Sequence, residues 1–99
     1  MTKLEKDIEA KLVKMIKSHG GLCLKWVCPG WSGVPDRICL LPGGRVYFVE
    51  LKRPKGGRIS ELQRWWGNIL MKLGFSVSYI KDEISIKMLE MIIQGEAET

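Results

Sequence analysis

Histidine is nearly missing from this chain, and cysteine occurs only as Cys23, Cys28 and Cys39, an odd number with no Cys-x-x-Cys pair. Zinc ribbons and zinc fingers need closely paired ligands, so a zinc site is not expected on spacing. Cys23 and Cys39 read instead as small strand hydrophobes. No window approaches the roughly 18 uninterrupted apolar residues of a membrane span. The N-terminus, MTKLEKDIEAKL, alternates charge with apolar residues and carries no secretory core, so a reducing cytoplasm and no membrane partner are expected. Internal repeats, low-complexity tracts and long linkers are also lacking. Acid is in deficit, with 11 Asp and Glu against 16 Lys and Arg. The resulting net charge of +5 leans toward a polyanionic partner.

What remains is ordinary globular material. The 99 residues are read as a single domain, 1–99, with room for one modest core. Leu4, Ile8, Leu12, Met15 and Ile16 recur at helical spacing over residues 3–18. Thr2 with Glu5 three places on forms a capping box, and Gly20-Gly21 ends the helix. Strands are expected at 22–27, 37–41 and 45–51, with Pro42-Gly43-Gly44 as the turn between the last two. Ser60 caps a second helix to about Leu73. A fourth strand covers 75–80, and a last helix runs from about Glu83 to Gln94 with a fraying GEAET tail. The order α-β-β-β-α-β-α implies an α/β fold, a mixed sheet of about four strands flanked by helices.

The informative stretch is GVPDRICLLPGGRVYFVELKRP, residues 33–54. Charges inside apolar strands are costly unless paired or metal-bound. If Pro42-Gly43-Gly44 is the turn, Leu41 faces Arg45 and, counting outward, residue 36 faces 50. Asp36 and Glu50 then sit about 5 Å apart at their Cβ atoms. Glu50 and Lys52 share a face because strand side chains alternate. Two carboxylates so placed repel, and a divalent cation between them turns repulsion into coordination. Hard oxygen ligands suit Mg²⁺ or Mn²⁺. The alternative is a salt-bridge cluster at a sheet edge.

Gly33-Val34-Pro35-Asp36, then Glu50-Leu51-Lys52, then Gln63, resembles the PD-(D/E)xK nuclease signature. More narrowly, "SGVPDRICLLPGGRVYFVELKRPKGG" followed by "SELQ" is similar to the core of the VRR-NUC family, the virus-type replication-repair nucleases. The resemblance runs from Glu5 to about Ile80. It implies a restriction-endonuclease-like fold and metal-dependent hydrolysis of phosphodiesters in DNA. Asp36 and Glu50 match the metal-binding carboxylates, Lys52 the signature lysine and Gln63 the helix glutamine. An acid on the first helix belongs to the pattern; Glu5 fits it, with Glu9 as runner-up, and the Leu51 carbonyl is a further candidate ligand. For Glu5 the capping box is the competing explanation.

Lys25, Arg37, Arg45, Arg53, Lys55, Arg58 and Arg64 cluster in sequence around this hairpin, where phosphate contacts give affinity without sequence preference. The loop Arg53-Pro54-Lys55-Gly56-Gly57-Arg58 is the best single candidate for a backbone clamp. Trp31 is a candidate DNA contact at the mouth of the site, and Trp65 and Trp66 divide between core and a partner surface. Small stand-alone nucleases of this class resemble Holliday-junction resolvases, which act as two-fold dimers. A homodimer cutting branched DNA in a bacterial or phage-infected cell is therefore expected. The competing readings are a nickase or flap nuclease acting as a monomer, and a DNA-binding module without chemistry. The last helix is apolar on several sides, which suggests a second buried contact.

Overall fold

A computed structural model describes residues 3–53 and 56–97 of the chain. The Thr2 half of the expected capping box, and Lys55, lie outside the described residues.

Helix α1 (Lys3–Ser18) leads into strand β1 (Leu22–Lys25), then β2 (Arg37–Leu41) and β3 (Arg45–Leu51). Helix α2 (Glu61–Lys72), strand β4 (Ser76–Ile80) and helix α3 (Glu83–Ala97) complete the order expected from the sequence. The four strands form one sheet in the order β1-β2-β3-β4. The first three pair antiparallel, while β4 runs parallel to β3 through the α2 crossover. This is a mixed sheet flanked by helices.

The β2–β3 register is the expected one. Leu41 faces Arg45 and Arg37 faces Val49, so Asp36 and Glu50 are opposed one step further out. The tight turn needs two left-handed residues, which Gly43 (φ +86°) and Gly44 (φ +73°) supply.

Alternation along β3 then divides the molecule. Tyr47 and Val49 point into a core with Cys39, Leu41 and Ile80, closed by Leu12, Met15 and Ile16 of α1 and Ile86, Leu89 and Ile93 of α3. Each such aliphatic side chain contributes about 1.5–3 kcal/mol when fully buried. Phe48 and Glu50 point the other way, toward α2, where Phe48 packs against Trp26 (4.9 Å) and Phe75 (5.4 Å).

Three boundaries differ from expectation. Strand β1 stops at Lys25, two residues early, because Trp26 turns its ring onto Phe48 while its N–H still donates to the Asp36 carbonyl (3.0 Å). Strand β4 starts at Ser76, since the Phe75 N–H closes the end of α2 by donating to the Leu70 carbonyl (3.0 Å). The last helix continues through Gly95 and Glu96 to Ala97, where fraying was expected. Its final turns are held from the sheet: Arg45 Nη1 donates to the Ile93 carbonyl (2.8 Å), and the Tyr47 hydroxyl donates to Glu96. Glu98 and Thr99 lie outside the described residues.

Candidate active site

The end of β3 places three polar groups at one point. Glu50 is 3% exposed, the buried charged residue of the described chain. Asp36, at the mouth of β2, is exposed and its Oδ2 accepts the Leu51 N–H at 2.7 Å. That bond fixes the carboxylate across the open end of the hairpin. Lys52 leaves the strand with its own N–H donated to the Ile80 carbonyl (2.8 Å), so the backbone of β4 orients it.

Gln63 joins these groups. Its Nε2 donates to Glu50 Oε1 (2.8 Å), and its Oε1 accepts from Lys52 Nζ (2.5 Å) and from the Ser60 N–H (2.9 Å). Ser60 Oγ in turn accepts the Gln63 N–H (3.1 Å). This is a reciprocal capping box at the start of α2. One amide thus satisfies a helix terminus and ties the lysine to the buried carboxyl. The Ser60-x-x-Gln63 spacing is the sequence signal for that box, and the structure adds to the expected Ser60 cap a role in aiming Gln63.

Burial first, and then the hydrogen bond and charge of the facing Asp36 carboxyl, push the Glu50 carboxyl up to about 8, while Lys52 pulls the other way. Two opposed acids with one ammonium nearby are short of positive charge when both are ionised. The donor set therefore fits a hard divalent cation. Mg²⁺ commonly takes one or two carboxylates and keeps several waters. Among the described residues, no group of three or more His, Cys, Asp or Glu side chains is gathered that could hold an ion. The protein thus offers two carboxylates here, not a full cage.

A cleft of about 360 Å³ opens beside Asp36, lined also by Glu5, Glu9, Lys25, Trp26 and Leu51. Both candidate helix acids reach it, and both are engaged. Glu5 pairs with Arg53 (3.5 Å). Glu9 Oε2 accepts from Arg37 Nε (3.1 Å), with both side chains largely buried.

The basic residues separate into two groups. Arg37 is turned inward, held by Glu9 and by the Cys23 carbonyl (3.0 Å), which leaves its guanidinium bracing α1 against the sheet instead of facing solvent. Arg45 is likewise committed to the end of α3 and to the Pro42 carbonyl. Lys25, Arg53, Arg58 and Arg64 are exposed. The Glu9–Arg37 pairing joins residues 28 apart, and no local spacing announces it.

Comparison with known proteins adds three findings. No family model matches the chain. A protein of Acyrthosiphon pisum secondary endosymbiont phage 1 named "Putative nuclease p44" is 48% identical over 50 residues, covering 50% of this chain. The match spans 54% of that relative, about half its length. A solved structure described as "VRR_NUC domain" superposes with a TM-score of 0.83 at 25% identity, covering 89% of this chain and 95% of the other.

Proposed function

We propose that this chain, whose fold matches a solved VRR_NUC domain and which is similar to a phage protein named as a putative nuclease, is a Mg²⁺- or Mn²⁺-dependent deoxyribonuclease acting on branched DNA such as Holliday junctions. The observation that carries the reading is the Gln63 bridge, which fixes buried Glu50 to Lys52 beside the opposed Asp36. A salt-bridge cluster at a sheet edge would not bury its acid and leave it raised toward neutrality.

Asp36 and Glu50 would hold the ion, with the Leu51 carbonyl and Glu5 at the border of the same cleft. A bound divalent ion would lower the pKa of a coordinated water and offset charge on the phosphate. Asp36 is oriented for this by the Leu51 N–H. Lys52 Nζ is held by Gln63 and would offer its remaining protons to the attacking water or to the charge building on the phosphate oxygens. Lys25, which lines the cleft, and Arg53, Arg58 and Arg64, exposed on the segments that follow the catalytic strand, hold the DNA backbone and impose a steep salt dependence. Arg37 serves the site by fixing Glu9 and α1.

One such site cuts one strand, so symmetric cutting of a junction requires a second copy. Helix α3 leaves Ile84, Met88, Met91 and Ile92 exposed. They fall at i, i+4, i+7 and i+8 on one stripe, the pattern of a helix with a second partner. This supports a homodimer through α3.

The test is a panel of labelled four-way junctions, flaps, duplexes and single strands incubated with Mg²⁺ or Mn²⁺, with cut positions mapped. Junctions cut by the natural chain and left whole by Glu50→Gln support the proposal. Equal cutting by Glu50→Gln, or no cutting of any substrate, overturns it. A flap cut in preference by a monomer replaces the resolvase reading with the narrower nickase one.

A further inference from the structure

A second concavity adjoins the catalytic cleft and has no part in the chemistry above. It is an open groove of about 640 Å³ between the loop carrying Trp31 and the first turns of α2, lined by Trp31, Ser32, Glu61, Leu62, Trp65 and Trp66. Trp31 is 60% exposed, Trp65 49% and Leu62 44%. Three large apolar side chains around one hollow are an unusual expenditure of surface, and such patches mark binding sites.

The groove is built stiffly. Trp66 Nε1 donates to the Ser32 carbonyl (3.0 Å), tying loop to helix. Trp66 meets Trp31 edge-on at 5.7 Å and Trp65 at 5.2 Å, so the three indoles brace one another. Gly33 sits at φ +83° with its Cα pressed on α2: a Cβ there would lie 2.5 Å from Leu62 Cγ. A side chain at position 33 would collide with Leu62, so the loop packs closely on the helix beside the groove.

Resting on the nuclease reading, we propose that this groove receives an unpaired nucleobase of the DNA strand next to the bond being cut. Three observations select a base over another occupant. The groove is made from the same two segments as the site, since the loop ends at Asp36 and the helix turn carries Gln63. Arg58 and Arg64, exposed on either side of that turn in the chain, suit the backbone of a strand entering it. Glu61, at the groove wall, repels phosphate and accepts from an exocyclic amino group, so it suits a base edge and not the backbone. Stacking on indole tolerates any base, giving preference for unpaired DNA without sequence preference. The groove thereby distinguishes a junction, flap or frayed end from plain duplex.

The experiment measures anisotropy of a labelled single-stranded oligonucleotide and of a fully paired duplex of the same length, with the full chain in EDTA. Cleavage with Mn²⁺ is followed in parallel. Trp31→Ala and Trp65→Ala are expected to weaken single-strand binding about tenfold each while moving duplex affinity less than twofold. Trp65→Phe restores most of the loss, and single-strand binding quenches the tryptophan fluorescence of the natural chain. Unchanged single-strand affinity in both alanine variants overturns the proposal, as does conversion of a dimer to a monomer by either, which makes the groove a contact between copies. A natural chain that binds but never cuts defeats the nuclease reading instead, so the two failures are distinct.

Discussion

The two faces of strand β3 share one backbone and obey opposite rules. Tyr47 and Val49 face α1 and α3, where every neighbour is apolar or fully satisfied and the packing is closed. Phe48 and Glu50 face α2, where an acid is buried beside another acid, held by the Gln63 amide and influenced by the Lys52 ammonium. The first face is built for stability. The second accepts an electrostatic penalty that an ordinary core would not retain, and the penalty sits where a divalent cation can relieve it. A one-residue slip in the β2–β3 register would exchange the two faces, so the three-residue turn at 42–44 matters to the chemistry as much as to the fold.

Substitutions on the two faces should therefore separate activity from stability. The largest effect is expected from Glu50→Gln, which keeps the bond from Gln63 and removes the charge. Cleavage of a junction should fall about 10³-fold, while thermal unfolding at pH 8 without metal shifts upward. Leu89→Ala, on the closed face, should do the reverse. It costs about 2–5 kcal/mol in denaturant unfolding, with specific activity of the remaining folded protein nearly intact.

The pH dependence sharpens the same contrast. Glu50 binds its proton up to about 8 in the folded chain against a usual value of 4.5. Between those values the folded state holds more protons than the unfolded state, so stability falls as pH rises through that window. The loss should reach roughly 2–4 kcal/mol by pH 8 in EDTA. It should vanish in Glu50→Gln and shrink on adding Mn²⁺. Denaturant titrations at pH 5 and pH 8 measure it, and a natural chain as stable at pH 8 as at pH 5 contradicts it.

Smaller effects are expected one bond further out. Gln63→Ala frees Glu50 and Lys52 together and should lower kcat about 10–100-fold, the usual cost of losing a supporting hydrogen bond at a metal site. Ser60→Ala removes half of the capping box for about 1 kcal/mol and should slow cleavage only a few-fold, through looser placement of Gln63. A Ser60→Ala loss as large as that of Gln63→Ala would mean that the helix cap, not the amide, positions the lysine.

Much of this contrast was legible in the sequence because it is local. Helical spacing, the Gly-Gly turn and period-two alternation are decided within a few residues, and they yield the element order, the hairpin register and the opposition of Asp36 to Glu50. The boundaries that moved were decided at a distance. Trp26 ends β1 by packing on Phe48, and Arg45 and Tyr47 extend α3 by reaching across 48 and 49 residues. Arg37 looked like a phosphate contact because charge is visible in sequence and orientation is not; its partner Glu9 lies on another element. The tryptophan groove was illegible for the same reason, since Trp31 and Trp66 meet only after loop and helix are packed.

The most direct test of the central claim is Mn²⁺ titration of the natural chain by calorimetry at pH 7, repeated in buffers of different ionisation enthalpy. Because Glu50 holds its proton at that pH when no ion is bound, an ion taken between Asp36 and Glu50 must displace it. The account predicts saturable binding at one site with close to one proton released per ion, and no binding in Glu50→Gln. Binding without proton release, or undiminished binding in Glu50→Gln, would contradict it.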